Sequence, residues 1–226
     1  MNKVVGLIPA RSGSERLKRK NYLKFGDFSI VENTIVKTIE SDSFDKIYLS
    51  SDDETLSELA YKYDINFHLR DIQDANSSAT SEQVVAKFLE DILCEYVVWV
   101  NTASPLQTVN DIRNSVKEFL DSNKSCFVAV NKIYTHCSYN TEPINFSFNE
   151  SFAKTQDLIP INKYIYSTMG WRSKTFIDNM NKGHKGLFSR DILEVEVSSY
   201  AGLLLKTIDD YNLINLINSH IGELNA

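Results

Sequence analysis

The sequence has no run of about 20 apolar residues, the length that a helix needs to cross a membrane. A lysine and a short apolar run follow the first two residues, without a signal-peptide pattern, so we expect a cytoplasmic protein with no membrane partner. The three cysteines, Cys94, Cys126 and Cys137, lack the C-x-x-C spacing of zinc sites and dithiol redox sites. The net charge of −6 and the pI of about 5.3 argue against nucleic acid as the main partner.

What the sequence does have is a regular alternation of short apolar runs with amphipathic segments, without internal repeats or low-complexity linkers. This alternation predicts an α/β fold, a Rossmann-like and mostly parallel sheet with helices on both faces, in a single domain of residues 1–226. The predicted strands cover residues 4–8, 46–50, 66–69, 97–101, 126–131 and 193–197. The predicted helices cover residues 54–63, 80–93, 109–120 and 173–180, and a last helix begins near 208. From 134 to 166 turn formers and aromatics dominate instead, which predicts short antiparallel strands.

The segment IPARSGSERLKRKN, residues 8–21, is strongly basic although the whole chain is acidic, because it carries five cations in ten residues. It follows a predicted buried strand that Pro9 ends, at the sheet edge where α/β folds bind ligands. Its small residues, Ser12, Gly13 and Ser14, allow backbone N–H groups to approach an anion closely. The segment therefore indicates a polyphosphate site, although composition alone leaves a solvated loop equally open.

The order of residues in this segment resembles the N-terminal signature of the cytidylyltransferases that make CMP-activated acidic sugars. That signature is close to IPARGGSKGIPGKN in the sialic-acid branch and to IPARYASTRLPGK in the Kdo branch. The resemblance implies that CMP is transferred from CTP to an acidic sugar, a nonulosonic or ulosonic acid, with release of pyrophosphate. It implies that three catalytic cations hold the triphosphate: Arg11, Arg16 and Lys20. It also implies further nucleotide contacts from small and amide residues of the same segment: Ser12, Gly13, Ser14 and Asn21.

Two more segments resemble parts of the same family. Residues 101–108 (NTASPLQT) look like the family's QPTSPLRT motif, in which the position of Asn101 contacts substrate or nucleotide. Arg70, Thr80 and Ser81 fall where the family contacts cytidine and its ribose. Each segment also has a purely structural interpretation, because residues 101–108 would serve as a strand-to-helix turn and Thr80 would cap its helix.

The family's region corresponding to residues ~132 to ~168 packs against a second subunit and helps to build the sugar site of the neighbour. The resemblance therefore implies that these residues form a small protruding dimerisation lobe and that the protein is a homodimer.

The resemblance breaks near the C-terminus, where the family uses two aspartates to hold magnesium against the CTP phosphates. Leu204 and Lys206 occupy these positions, and leucine cannot bind magnesium whereas lysine repels it. We expect no metal ligands from the chain, so that magnesium would arrive as Mg-CTP. Asp52 and Asp53 are interpreted as the start of the following helix rather than as a metal site.

Several interpretations of this departure stay open. Lys206 can act as a fixed cation for the triphosphate or for the acidic group of the acceptor. A metal can instead be held by phosphates, water and some other carboxylate. The chain can also have lost catalysis and serve as a nucleotide-binding or interaction module. Finally, it can use another nucleotide, or a phosphate or phosphonate acceptor.

Overall fold

The computed structural model describes residues 2–13, 16–71 and 80–224. The strands in these ranges are β1 (Asn2–Pro9), β2 (Lys24–Phe25), β3 (Phe28–Ser29), β4 (Lys46–Ser51), β5 (Asn66–Leu69), β6 (Cys94–Val100), β7 (Cys126–Ile133), β8 (Ser138–Tyr139), β9 (Glu142–Pro143), β10 (Ile161–Arg172) and β11 (Ile192–Glu196). The α-helices in the same ranges are α1 (Ile30–Glu40), α2 (Ser57–Lys62), α3 (Ser81–Asp91), α4 (Val109–Asp121), α5 (Ser173–Asn181) and α6 (Ile208–Leu224). None of the helices in the described ranges is long and apolar enough to cross a membrane.

Seven of the strands form one sheet in the order β11-β7-β10-β6-β1-β4-β5. All neighbouring pairs are parallel except those that involve β10, which runs antiparallel to both β6 and β7. The predicted α/β class and mostly parallel sheet are therefore confirmed.

Helices cover both faces of the sheet because the strands are apolar on both sides. In β1, Val4 and Ile8 pack into a cluster with residues of α1, α2 and α4, whereas Val5 and Leu7 pack into a second cluster with residues of α3 and α5. This alternation follows from the two-residue period of a strand, and it confirms the prediction of helices on both faces.

Helix α1 is the element that the sequence interpretation missed. The segment IVENTIVKTIE is rich in β-branched residues, which favour strands, so its helical period is easily overlooked. Its start is fixed by a capping box: the Ser29 side chain accepts a hydrogen bond from the Glu32 amide (3.3 Å), and the Ser29 amide donates to Glu32 Oε2 (3.0 Å).

The predicted lobe ends too late at about residue 168. Ile161–Arg172 is strand β10, which pairs with β7 and β6 in the centre of the main sheet. Its buried residues, among them Ile165, Met169 and Trp171, belong to the core clusters, and this burial fixes the segment in the sheet. The segment between β7 and β10, residues 134–160, lies outside the main sheet and contains two short antiparallel strands, β8 and β9, as predicted.

Candidate functional site

The loops after β1, β4 and β6 meet at the carboxyl edge of the sheet, where parallel α/β folds bind ligands. Backbone hydrogen bonds hold this edge together: the Ala10 amide donates to Ser50 O (2.9 Å), and the Leu205 amide donates to Ala103 O (2.8 Å). A cavity of about 430 Å³, which we call the basic cleft, lies between the loops after β1 and β6. Arg70 after β5, the start of α3 and residues 205–206 complete its wall.

Five cationic side chains line the basic cleft: Arg11, Arg16, Lys20, Arg70 and Lys206. No Asp or Glu of the described residues lines it, although the whole chain is acidic. Eight of the residues predicted for the site lie on its wall: Arg11, Arg16, Lys20, Asn21, Arg70, Ser81, Asn101 and Lys206. Residues that are up to 195 positions apart along the chain therefore converge on one positively charged site that suits an anion.

The pKa of Lys20 reflects both its burial and the positive charges beside it. The pKa of the Lys20 ammonium is lowered to about 8, mainly by burial and in addition by repulsion from the neighbouring Arg11 and Arg16 guanidinium groups. The protein thus holds a partly desolvated cation beside two others. A bound polyphosphate would stabilise the charged form of this cation and reduce the repulsion among the three.

Asn21 lies on the cleft wall and holds in place the loop after β1, which we call the basic loop. It is buried, its Nδ2 donates to Arg11 O (3.0 Å), and its Oδ1 accepts from Thr102 Oγ1 (3.0 Å). These two bonds connect the loop after β1 with the loop after β6, and they fix the backbone from which Arg11 projects.

Ser12, one of the small residues of the basic loop, is placed differently from the prediction. The Ser12 amide donates to Asp52 Oδ1 (2.8 Å), and the Ser12 hydroxyl donates to the same carboxylate. Ser12 is therefore bonded to Asp52, neither it nor the exposed Gly13 lines the cleft, and Ser14 lies outside the described residues. Asp53, the other acid of this pair, accepts from the Thr55 amide (3.1 Å) and begins the next helical turn, as predicted.

Thr80 has the structural role of a helix cap, whereas Ser81 lies on the wall of the cleft. Thr80 forms a capping box with Gln83, in which the Thr80 amide donates to Gln83 Oε1 (2.8 Å), and it does not line the cleft. Ser81 is the first residue of α3 and does line the cleft, so the positive end of that helix dipole lies at the site.

Asn101 uses both of its side-chain groups within the protein. Its Nδ2 donates to Tyr166 O (3.0 Å), and its Oδ1 accepts from the Ala103 amide (3.0 Å). It lies on the cleft wall, but these bonds make it a residue that shapes the wall.

The segment 203–206 has no regular secondary structure and forms part of the wall of the site. Leu205 is buried in a cluster with Phe25, Ile30 and Ile214 and also borders the basic cleft, as does the exposed Lys206. Leu204 lines the second cavity described below. Asp210 accepts from the Thr207 amide (2.7 Å) and from the Lys206 amide (3.0 Å), so it caps α6. Leu204 and Lys206 are thus held at the site by their neighbours.

The donor set does not fit a magnesium ion held by the protein. Magnesium prefers carboxylate and other oxygen ligands, and the described residues that line the basic cleft include no Asp or Glu. The cations on the cleft wall would repel the ion further.

A second cavity of about 400 Å³ opens from the basic cleft and was missed by the sequence interpretation. It shares Arg16, Lys20, Asn101 and Lys206 with the basic cleft. Beyond this junction its wall is apolar and aromatic, and we call this part the apolar chamber: Tyr166, Met169, Leu187, Phe188 and Leu204. Trp99, another unpredicted residue, lies two residues before Asn101 and lines both cavities.

The model of the Cytidylyltransferase family matches residues 5–159, more than half of the chain. The chain is a member of the cytidylyltransferase family. This membership confirms the resemblance found in residues 8–21, and it confirms nucleotidyl transfer from CTP as the enzyme class.

The chain is similar in sequence to two named cytidylyltransferases. It is 27% identical over 199 residues to the pseudaminic acid cytidylyltransferase of Campylobacter jejuni, which covers 80% of this chain and 84% of the relative. It is 30% identical over 133 residues to the N-acylneuraminate cytidylyltransferase of Escherichia coli O18:K1:H7, which covers 58% of this chain and 32% of the relative.

Solved structures agree with this cytidylyltransferase fold. A CMP:2-keto-3-deoxy-manno-octonic acid synthetase in complex with CTP superposes with a TM-score of 0.72, covering 96% of this chain and 99% of the other at 12% identity. The 4-diphosphocytidyl-2C-methyl-D-erythritol synthase of Anaerococcus prevotii superposes with a TM-score of 0.67, covering 96% of each chain at 14% identity. At this identity the likeness supports the fold alone.

Proposed function

We propose that this protein transfers CMP from CTP to an acidic sugar and releases pyrophosphate. The observation that carries the proposal is the basic cleft, in which five cations and no described acidic residue surround a cavity at the carboxyl edge of the sheet. The names of the sequence relatives, which act on pseudaminic acid and N-acylneuraminate, support an acidic sugar as the acceptor. The same proposal places the protein in the cytoplasm, where CTP is available.

In this reaction an acceptor oxygen attacks the α-phosphorus of CTP, a new P–O bond forms, and the bond to the β-phosphate oxygen breaks. Negative charge then builds up on the leaving pyrophosphate. Arg11, Arg16 and Lys20 stabilise that charge, because preorganised cations act most strongly where charge develops. Arg70 and Ser81 lie on the same wall and offer hydrogen-bond donors to the rest of the nucleotide.

Magnesium enters this proposal only as a companion of the nucleotide. The cations of the cleft supply the positive charge, with Lys206 at the junction of the two cavities, so we assign no protein ligand to the metal. We expect CTP binding to depend less on magnesium than is usual for nucleotidyl transferases.

The proposal is tested by thermal shift and by pyrophosphate release. We expect CTP to raise the melting temperature more than UTP, GTP or ATP, and we expect pyrophosphate release only when an acidic sugar is added. A thermal shift with CTP but no release with any acidic sugar would indicate a nucleotide-binding module. Preference for another nucleotide would reject CTP as the substrate.

We further propose that residues 134–160 form the contact surface of a homodimer. Several large apolar side chains project from this lobe into solvent; the exposed fractions are 72% for Tyr139, 71% for Phe148, 86% for Phe152 and 77% for Ile159. Exposed large apolar side chains concentrated in one segment are typical of an interaction surface. His136 stacks on Phe152 with ring centroids 4.2 Å apart, which holds that ring in position although it is exposed.

The double substitution Phe148→Ser, Phe152→Ser is expected to shift the protein from dimer to monomer. The dimer would lose two aromatic side chains that its interface buries, and such residues typically dominate interface energetics. Sedimentation equilibrium at micromolar concentration measures the change. The matched control is Tyr61→Ser, which removes an aromatic ring that is 90% exposed on α2, far from the lobe. A wild-type monomer at this concentration would contradict the proposal.

A further inference from the structure

The first end of the basic loop is bonded to Asp52, the residue that follows β4. The Ser12 amide donates to Asp52 Oδ1 (2.8 Å), and the Ser12 hydroxyl donates to Asp52 Oδ2. Two residues earlier, the amide and the carbonyl of Ala10 are both bonded to residues 50–51 at the end of β4 (2.9 and 2.6 Å). Arg11 therefore projects from a piece of backbone that is bonded on either side of it.

The other end of the basic loop is bonded to Asp53, the next residue along the chain. Tyr22 Oη donates to Asp53 Oδ2 (2.5 Å), and the Tyr22 amide donates to Arg19 O (2.9 Å). Arg19 Cζ also lies 5.0 Å from the centroid of the Tyr22 ring, within the range of a cation–π contact. Hydrogen bonds from Thr55 and Tyr22 lower the pKa of Asp53, so the acceptor at this end is a charged carboxylate at neutral pH.

These two carboxylates bond the loop without reaching the ligand site. Neither Asp52 nor Asp53 lines the basic cleft, whereas Arg11, Arg16 and Lys20, which lie between the two bonded ends, all do. The three cations repel one another before a phosphate arrives. Bonds at both ends of the loop oppose that repulsion and keep the cations together at the cleft wall.

We propose that Asp52 and Asp53 are positioning residues for nucleotidyl transfer. Asp52 holds one end of the basic loop through Ser12, Asp53 holds the other end through Tyr22, and together they preorganise the cations that bind the triphosphate. This inference rests on the proposed function. A loop that is ordered before binding costs the ligand less conformational entropy. The negative charge of Asp52 by itself opposes binding of a triphosphate, so positioning and charge act with opposite signs and can be separated.

The test compares Asp52→Ala with Asp52→Asn, because both remove the charge but only asparagine keeps an acceptor for the Ser12 amide. We expect Asp52→Ala to weaken the binding of CTP and of inorganic tripolyphosphate by about tenfold, and Asp52→Asn to stay within about threefold of the wild type. Tyr22→Phe removes the second bond and keeps the ring, and it should weaken both ligands by about three- to tenfold. Calorimetry measures these affinities.

The matched control is Glu54→Ala. Glu54 is exposed on the same turn as Asp53, so its replacement removes a carboxylate close to the clamped ends of the loop. Its affinities for CTP and tripolyphosphate should stay within about twofold of the wild type, because exposed charges are well screened.

Limited proteolysis reads the position of the loop without any ligand. Trypsin cleaves after lysine and arginine, and Arg16, Lys18 and Arg19 are exposed in the basic loop. Cleavage at these residues should be faster by about fivefold or more in Asp52→Ala and Tyr22→Phe, and close to the wild-type rate in Asp52→Asn. Mass spectrometry identifies the cleaved bonds. A general loss of stability would instead speed cleavage along the whole chain, and thermal unfolding of the same preparations would show it.

The outcomes separate this inference from the proposed function. If CTP does not bind the wild type but tripolyphosphate affinity and tryptic cleavage follow the expected pattern, the proposed function fails and the inference stands. Tighter binding in both Asp52→Ala and Asp52→Asn would show that the carboxylate competes with phosphate or repels it, and would overturn the inference. Unchanged affinity or unchanged loop cleavage in both Asp52→Ala and Tyr22→Phe would also overturn it, as would a wild type that does not bind tripolyphosphate.

Discussion

Replacing Lys20 by methionine is expected to weaken CTP binding by about 10- to 150-fold while leaving the protein as stable as the wild type or more stable. The loss of affinity corresponds to about 1.5–3 kcal/mol for one charge-assisted contact in a partly buried site. Stability should move the other way because burial and the nearby Arg11 and Arg16 already disfavour the charged form of Lys20 and lower its pKa to about 8. Calorimetry and thermal unfolding measure the two effects on the same preparation.

The sign of the pH dependence follows from the same lowered pKa. Between about pH 8 and 10.5 the unfolded chain holds the Lys20 proton more tightly than the folded protein does, so this group makes stability rise with pH in that window. A bound triphosphate opposes the cause of the shift and raises the pKa of Lys20 again. At pH 8.5 we therefore expect CTP binding to take up a proton, measured by calorimetry in buffers of different ionisation enthalpy.

Lys18→Met is the matched control for Lys20→Met. It removes the same charge from the same loop, but Lys18 is exposed and does not line the cleft. Its affinity for CTP should change little, its stability should stay within about 0.5 kcal/mol of the wild type, and its proton uptake at pH 8.5 should persist. Equal loss of affinity in both variants would indicate a general electrostatic attraction, and the specific role of Lys20 would be wrong.

What the sequence predicted well was local in origin. The order of residues in 8–21 and the alternation of apolar runs are readable within short windows, and they located the cations that now lie on the cleft wall. Thr80 shows the limit of a local interpretation, because a hydroxyl before a helix suits both a ligand contact and a helix cap. The capping box with Gln83 was visible in the sequence, but it could not exclude a ligand contact.

What the sequence could not predict depends on contacts between distant segments. Asp52 binds Ser12 across 40 positions, and Asn101 binds Tyr166 across 65 positions, so neither bond has a signature in a short window. The positive φ of Tyr166 is likewise imposed by the sheet around it, since tyrosine does not favour that conformation. The apolar chamber therefore became visible only in the structure.

Reversing the charge at position 206 is expected to have the largest effect on metal dependence. In Lys206→Asp a carboxylate replaces a cation at the junction of the two cavities. At about 6 Å and an effective dielectric of about 20, each unit charge interacts with a phosphate charge by about 3 kcal/mol. CTP affinity without magnesium should therefore fall by about 100-fold or more, and magnesium should recover part of the loss because the new carboxylate attracts it.

Two further variants separate charge from metal binding. Lys206→Met removes the cation without offering a ligand, so its affinity for CTP should fall less, and magnesium should restore little of it. The double substitution Leu204→Asp, Lys206→Asp places two carboxylates on either side of the buried Leu205, and its magnesium dependence should exceed that of the single variant. Calorimetric titration of CTP at several magnesium concentrations measures both expectations.

Lys46→Asp controls for the change in net charge alone, because Lys46 is exposed at the start of β4, the opposite end of that strand from the site. It makes the same reversal of charge, and its CTP affinity and magnesium dependence should match those of the wild type within about twofold at moderate salt, since charges beyond about 10 Å are screened. Strong saturable activation of the wild type by magnesium, unchanged in Lys206→Met, would contradict the role of Lys206. The basic cleft would then have to take its metal from a ligand set other than residues 204–206.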